Sequence, residues 1–241
     1  MDFVNLKAYN LTGSWEPLTD HHAPLYRRKW ETTKANKNVD SAVSYWLDKG
    51  LPASKLNMGI PFFGNSWTLS SGAYRPPSVA SGPGAAGPFT NKPGELAFYE
   101  ICQKVRIDKT FEAKRDTQRL NGPMAATHPF RGSGATWTGY DDEVMVHVKS
   151  KYIVMKQLGG AVVWDISMDD FQNTCETGIN PLLQTISGTF GIVNNTRYRP
   201  GTYYQRYVSG SCRQADVPFT SIVLPTGCAL LYLVINKYYS L

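Results

Sequence analysis

The sequence predicts an α/β fold with parallel strands, and three observations carry that expectation. The order of elements over residues 2–187 reads strand, helix, strand, a long insertion, helix, strand, helix. The 241 residues are 42% hydrophobic and 18% charged, enough apolar material for an ordinary globular core. The run Gly159-Gly160-Ala161-Val162-Val163-Trp164-Asp165-Ile166-Ser167-Met168-Asp169-Asp170-Phe171 ends a helical pattern with two glycines. It then delivers a tryptophan and an acidic cluster to the carboxyl end of a short apolar strand, the end where parallel barrels carry their chemistry. A Trp there is suited to floor a ligand pocket, having a broad rigid face and one N–H donor. Taken alone, the run fits a buried strand with Trp164 in the core better than a ligand pocket.

Each element has a local reason. Residues 2–9 read as a buried strand through Phe3, Val4, Leu6 and Ala8, and residues 10–38 are polar and loop-rich. Val39, Val43, Trp46 and Leu47 form a helical stripe over residues 39–49, with Asn38 or Asp40 as cap and Gly50 and Pro52 as stop. Trp46 on that stripe is read as core packing. Residues 55–63 make a second strand, and the Gly/Pro/Ser-rich residues 70–94 are irregular. A second helix is expected over 95–106, and then an excursion over 107–140 with short strands, one of them around Ala135–Thr138. The third helix, 141–157, opens on Asp141, Asp142 and Glu143, acids that suit the positive end of the helix dipole. Residues 160–165 are the third strand and 180–187 a short last helix.

Composition narrows the function. The net charge of +6 is moderate and scattered, and its densest knot, Arg27-Arg28-Lys29, reads as a solvated loop, so no nucleic-acid partner is expected. The four cysteines, Cys102, Cys175, Cys212 and Cys228, have no C-x-x-C spacing, which argues against zinc; an oxidising compartment would allow two disulfides. Asp20-His21-His22 has metal-binding residue types, but adjacent residues rarely converge on one ion, and no metal site is assigned. His128 and His147 are read as structural, and Trp67 as packing within the insertion. Asp165 and Asp169 are read as supporting or helix-capping groups. Asn10-Leu11-Thr12 and Asn194-Asn195-Thr196 are glycosylation sequons, the first expected to be hidden at a strand end. Met1–Leu6 lacks the basic and apolar regions of a signal peptide. Residues 188–241 are rich in Tyr, Arg, Gly and Asn and then turn apolar from Ser221 to Ile235. That stretch contains Pro225 and Gly227 and is shorter than the ~20 residues of a membrane helix, so no membrane span is expected.

Three pieces of the chain fit one template. The first is Asp2-Phe3-Val4-Asn5-Leu6-Lys7-Ala8-Tyr9-Asn10-Leu11-Thr12-Gly13-Ser14-Trp15-Glu16 with His22-Ala23-Pro24-Leu25-Tyr26. The second is Met58-Gly59-Ile60-Pro61-Phe62-Phe63-Gly64 with Leu96-Ala97-Phe98-Tyr99-Glu100-Ile101-Cys102. The third is Trp137-Thr138-Gly139-Tyr140-Asp141-Asp142 and the Trp164 run. Together they resemble the second half of a family 18 glycoside hydrolase of the animal chitinase and chitinase-like group, over residues 2–187.

The resemblance implies a partial (β/α)8 TIM barrel, strands six to eight, carrying an α+β insertion domain. Residues 1–65 and 138–187 would be the barrel part, 66–137 the insertion, and 188–241 a tail outside the match. It implies a disulfide between Cys102 and Cys175, a secreted protein whose export signal lies upstream of these residues, and no cofactor. It implies chitin or chito-oligosaccharides as ligands, and the N-terminal half of the barrel as a partner for the open strand edges. Family 18 enzymes are substrate-assisted: a glutamic acid protonates the leaving oxygen while the substrate's acetamido oxygen attacks the anomeric carbon. The family's Asp-x-x-Asp-x-Asp-x-Glu segment, ending strand four, is absent from these 241 residues. Asp141-Asp142 and Asp169-Asp170 lack its spacing.

Tyr9 matches the family's acetamido-positioning Tyr, and Asn10 stands where the family has Asp. Lys7 replaces a Met of the pocket wall; Phe63 and Asn65 replace a Tyr and an Arg. Trp164 would floor the cleaving subsite and Trp15 would line the leaving-group side. The implied site keeps its stacking faces and loses its charge chemistry, so the chain alone is expected not to hydrolyse chitin.

Overall fold

Three short strands lie parallel at the centre of the computed structural model, which describes residues 1–27, 36–70, 75–116, 122–127 and 134–191. They are β1 (Val4–Leu6), β2 (Leu56–Pro61) and β9 (Gly160–Trp164), in the order β1-β2-β9. Register pairs Leu6 with Met58 and Pro61 with Trp164, so all three carboxyl ends face one side. All six residues of β2 are buried, Leu56, Met58 and Ile60 completely, as in a parallel strand covered on both faces. Asn57 Nδ2 donates to Asn5 Oδ1 at 2.9 Å, tying β1 to β2 through side chains as well as backbone.

The helices pack on this sheet. Helix α1 (Val39–Asp48) is capped by Asn38, whose side chain accepts from the Ser41 N–H. Helix α3 (Glu143–Met155) is capped by Asp142, which accepts from the Met145 N–H, and α4 (Pro181–Thr189) follows β9. Val39, Val43, Met145, Val146, Leu182 and Ile186 join the strand residues in one core. His147 of α3 lies 2.9 Å from the Thr189 hydroxyl of α4, a structural contact.

After Pro61 the chain passes Phe62 and turns directly into a second sheet. Its strands are β3 (Phe63–Leu69), β4 (Ala80–Pro83), β5 (Glu95–Ala97), β6 (Phe111–Asp116), β7 (Gly122–Thr127) and β8 (Thr136–Gly139). They pair antiparallel in the order β4-β3-β8-β7-β6, with β5 also on β3. Trp67 and Trp137 are register partners and pack edge to face at 5.3 Å, forming with Leu69 a small core of this sheet's own. Strands β3 and β8 run through the residue 65/66 and 137/138 borders expected for the insertion.

Several local expectations are corrected. The helix expected over 95–106 is only α2 (Phe98–Cys102), followed by a π-helical turn, Gln103–Ile107. Residues 95–97 pair with β3 instead, and Glu100 accepts the Ala97 N–H at 2.9 Å to start the helix there. Trp46 is not core: it is 37% exposed, because the buried line of α1 runs through Val39 and Val43 and Trp46 falls beside it. The stretch 70–94, expected to be irregular, contributes β4. His128, the Asn194 sequon, Cys212, Cys228 and the Ser221–Ile235 stretch lie outside the described residues.

Candidate functional site

The side chains singled out at strand ends gather at the carboxyl side of the parallel sheet. Tyr9 follows β1 and is 6% exposed. Its ring meets Phe63 edge to face at 6.0 Å, and Lys7 Nζ stands 5.8 Å from its centroid, within reach of a cation–π contact. Burial pushes the Tyr9 phenol up to about 12, helped by the negative charge of Asp165, so the hydroxyl keeps its proton at neutral pH. Gly59 on β2 leaves room for this ring: a Cβ there would lie 2.6 Å from Tyr9 Cε1.

Phe63 and Asn65 are each 3% exposed, so they act behind the surface. Phe63 packs with Tyr9 and Ala23, and its carbonyl oxygen lies 3.1 Å from His22 Nε2. Burial holds the His22 imidazole neutral, with its pKa lowered to about 3; the positive charges of Lys149 and His21 add to the shift. Asn65 Nδ2 donates to Asn10 Oδ1 and to the Thr12 carbonyl oxygen, both at 2.7 Å. Asn10 adopts the left-handed φ of 58°, which Asn tolerates. Within its sequon the Thr12 hydroxyl donates to the His21 carbonyl, and Thr12 is buried.

Trp164 closes β9 and is 38% exposed, and the next residue, Asp165, accepts from the Ser167 N–H at 2.9 Å and from the Ser167 hydroxyl. Asp169 accepts from the Leu182 and Leu183 N–H groups and so caps α4, while Asp170 accepts from Thr174 and Cys175. Trp15 is 63% exposed, and its ring lies over Gly13. Asp141 is buried in an ion pair with Lys149, and Asp142 pairs with Arg115. These acids hold structure; their partners are already in place.

The Asp20-His21-His22 run does not converge on a common point. Asp20 accepts from the His21 N–H, His21 pairs with Asp116 at 3.3 Å, and His22 faces Phe63. Among the described residues, the one group spaced to share a metal is Cys102, Asp170 and Cys175. Its two sulfurs are joined in the Cys102–Cys175 disulfide, with Cα atoms 5.9 Å apart, so the group is no metal centre. Sequence reasoning passed over Tyr99, whose phenol is pushed up by burial and by the charges of Glu100 and Asp165. Tyr99 also packs edge to face with Phe89 at 5.7 Å and Phe171 at 6.0 Å. Tyr99 lies on α2, and Phe89 and Phe171 come from two separate turns, so no local pattern announces the cluster.

Comparison with known proteins places this arrangement. Residues 1–169 match the family described as glycosyl hydrolases family 18. Human chitinase-3-like protein 2 is 39% identical over 196 residues, covering 79% of this chain and 47% of its own length. Mouse chitotriosidase-1 is 37% identical over 203 residues, covering 83% of this chain and 41% of its own. The solved structure of human YKL-39, described as a pseudo-chitinase with retained chitooligosaccharide binding properties, superposes with a TM-score of 0.73 at 39% identity. It covers 79% of this chain and 51% of that one. The chain spans about half the length of the curated relatives it matches. With residues 1–169 matched to the family and an α/β structure that superposes on its members, the chain belongs to glycosyl hydrolase family 18.

Proposed function

We propose that these 241 residues form a chitinase-like unit that binds chito-oligosaccharides and does not cleave them on its own. The observation that carries this reading is what stands at the carboxyl ends of the strands: an exposed Trp164 and a protonated Tyr9, with the neutral pair Asn10 and Asn65 where the family resemblance puts charged groups. Stacking surface and hydroxyl contacts favour sugar binding. The proton donor is wanting, since no Asp-x-x-Asp-x-Asp-x-Glu segment occurs in the chain. General acid catalysis is worth about 10²–10⁴-fold, or roughly 3–5 kcal/mol of barrier. Asn10 carries no charge to steady a developing cation. The pseudo-chitinase relative, described as retaining oligosaccharide binding, supports binding without hydrolysis.

In this reading β1, β2 and β9 are strands six, seven and eight of a (β/α)8 barrel, and residues 66–137 are its insertion. Among the described residues β1 and β9 are the edge strands of this sheet, which supports pairing with the remaining strands, supplied by the N-terminal half of such a barrel. The disulfide favours an oxidising, extracellular location. Retention on chitin beads tests the proposal. Trp164→Ala is expected to weaken retention at least tenfold, about 1.4 kcal/mol, and unchanged retention would remove the cleft assignment. Release of sugar from a fluorogenic chito-oligosaccharide well above blank would overturn the claim of inactivity.

A further inference from the structure

We propose that Asn65 is a positioning residue that sets the hydrogen-bonding polarity of the cleft, turning Asn10 so that it offers a ligand an amide NH2 group. The identity of the ligand rests on the carbohydrate-binding reading above; the polarity itself rests on three polar atoms. Asn65 Nδ2 lies 2.7 Å from the Thr12 carbonyl oxygen and 2.7 Å from the Asn10 side-chain amide. A backbone carbonyl only accepts, so the Asn65 atom facing it is the nitrogen. Turning the Asn65 amide over would set oxygen against oxygen at a residue 3% exposed, where water cannot compensate. The nitrogen's second hydrogen then points at Asn10, which answers with Oδ1. That leaves Asn10 Nδ2 for the cleft, and it has no hydrogen-bond partner among the described residues.

The consequence is a strand end that donates. The Lys7 ammonium, the Tyr9 hydroxyl and the Asn10 amide follow one another at the carboxyl end of β1. Asp165, the acceptor whose charge acts on Tyr9, is engaged with Ser167. A ligand meets this lining best with an acceptor oxygen, such as the carbonyl of an acetamido group. A carboxylate at position 10 would present the opposite polarity. Restoring the acid should therefore weaken binding here, whereas mere decay of an ancestral site would let the acid strengthen it.

The test compares the affinity of the 241-residue chain and of Asn10→Asp for a tetramer of N-acetylglucosamine, by calorimetry at several pH values. The substitution is nearly isosteric at a half-buried site, so folding is expected to survive. The variant should bind at least tenfold more weakly at pH 7, and the ratio of affinities should shrink toward one below about pH 4, as the new carboxyl protonates. Tighter binding by Asn10→Asp at pH 7 would overturn the proposal. Side-chain amide hydrogen exchange, followed by NMR, gives a second readout that needs no ligand. Both Asn65 side-chain amide protons should be protected while those of Asn10 exchange freely; the reverse pattern sinks the assignment. If the tetramer fails to bind the unsubstituted chain, the carbohydrate reading falls, and the exchange pattern still decides the polarity.

Discussion

Tyr9 is held by a missing side chain as much as by its neighbours. A Cβ at Gly59 would meet Tyr9 Cε1 at 2.6 Å and the Leu6 carbonyl oxygen at 2.7 Å. Leu6 cannot retreat, because it is in register with Met58 on the adjoining strand, so the ring would have to leave. Gly59→Ala is expected to destabilise the protein by about 1–3 kcal/mol, as overpacking does, and to weaken oligosaccharide binding. A urea midpoint and an affinity both unchanged would show that β2 does not set the place of Tyr9. Trp164 was legible as a candidate because it ends a strand-like run, whereas Tyr9 and Asn10 came through the family resemblance. The burial of Phe63 and Asn65 was not, since nothing local shows that β3 folds back across Tyr9 and Thr12.

At the scale of elements, a disulfide and a buried ion pair tie helices to the segments beside them. The Cys102–Cys175 disulfide spans 73 residues and joins the end of α2 to the loop before α4. A loop of that length corresponds to about 4 kcal/mol in the chain-entropy model. Reduction should lower the unfolding free energy by about 2–5 kcal/mol, read as a fall in the urea midpoint, and an unchanged midpoint would mean that the reduced chain is already constrained. The second link is the Lys149–Asp141 ion pair, with side chains 0% and 3% exposed. Burial lowers the lysine pKa and raises that of the aspartate, each opposed by the other's charge. Lys149→Met strands a buried carboxylate and is expected to cost about 3–5 kcal/mol, whereas the double change Lys149→Met with Asp141→Leu should cost much less. Equal losses from the single and double changes would refute the pairing.

For the whole molecule, the buried imidazole of His22 links stability to pH. Its folded pKa, lowered to about 3, lies below the ordinary value of 6.5. The unfolded chain therefore binds this proton first, so the contribution of His22 is present above pH 6.5 and is lost as pH falls toward the folded value. Asp169 acts in the opposite sense, because burial raises its carboxyl to about 6. The clean measurement is a difference: His22→Gln should be least stable relative to the unsubstituted chain at pH 7.5, with the gap narrowing by pH 4.5. A gap in thermal midpoint that stays constant with pH would show that His22 is not held neutral.

The order of parallel strands and helices and the acids that open α3 were determined by the sequence itself, which left the cap of α1 to either Asn38 or Asp40. Each depends on spacing or side-chain type within a few residues. The Cys102–Cys175 pairing came through the family resemblance. Tertiary structure alone decided that residues 95–97 pair with β3 and shorten the following helix, and that Trp46 lies at the surface. It also decided which way the Asn10 amide points. Asn65 reaches Asn10 and Thr12 across 55 and 53 residues of chain, and an amide's orientation is set by whichever acceptor the fold brings to it.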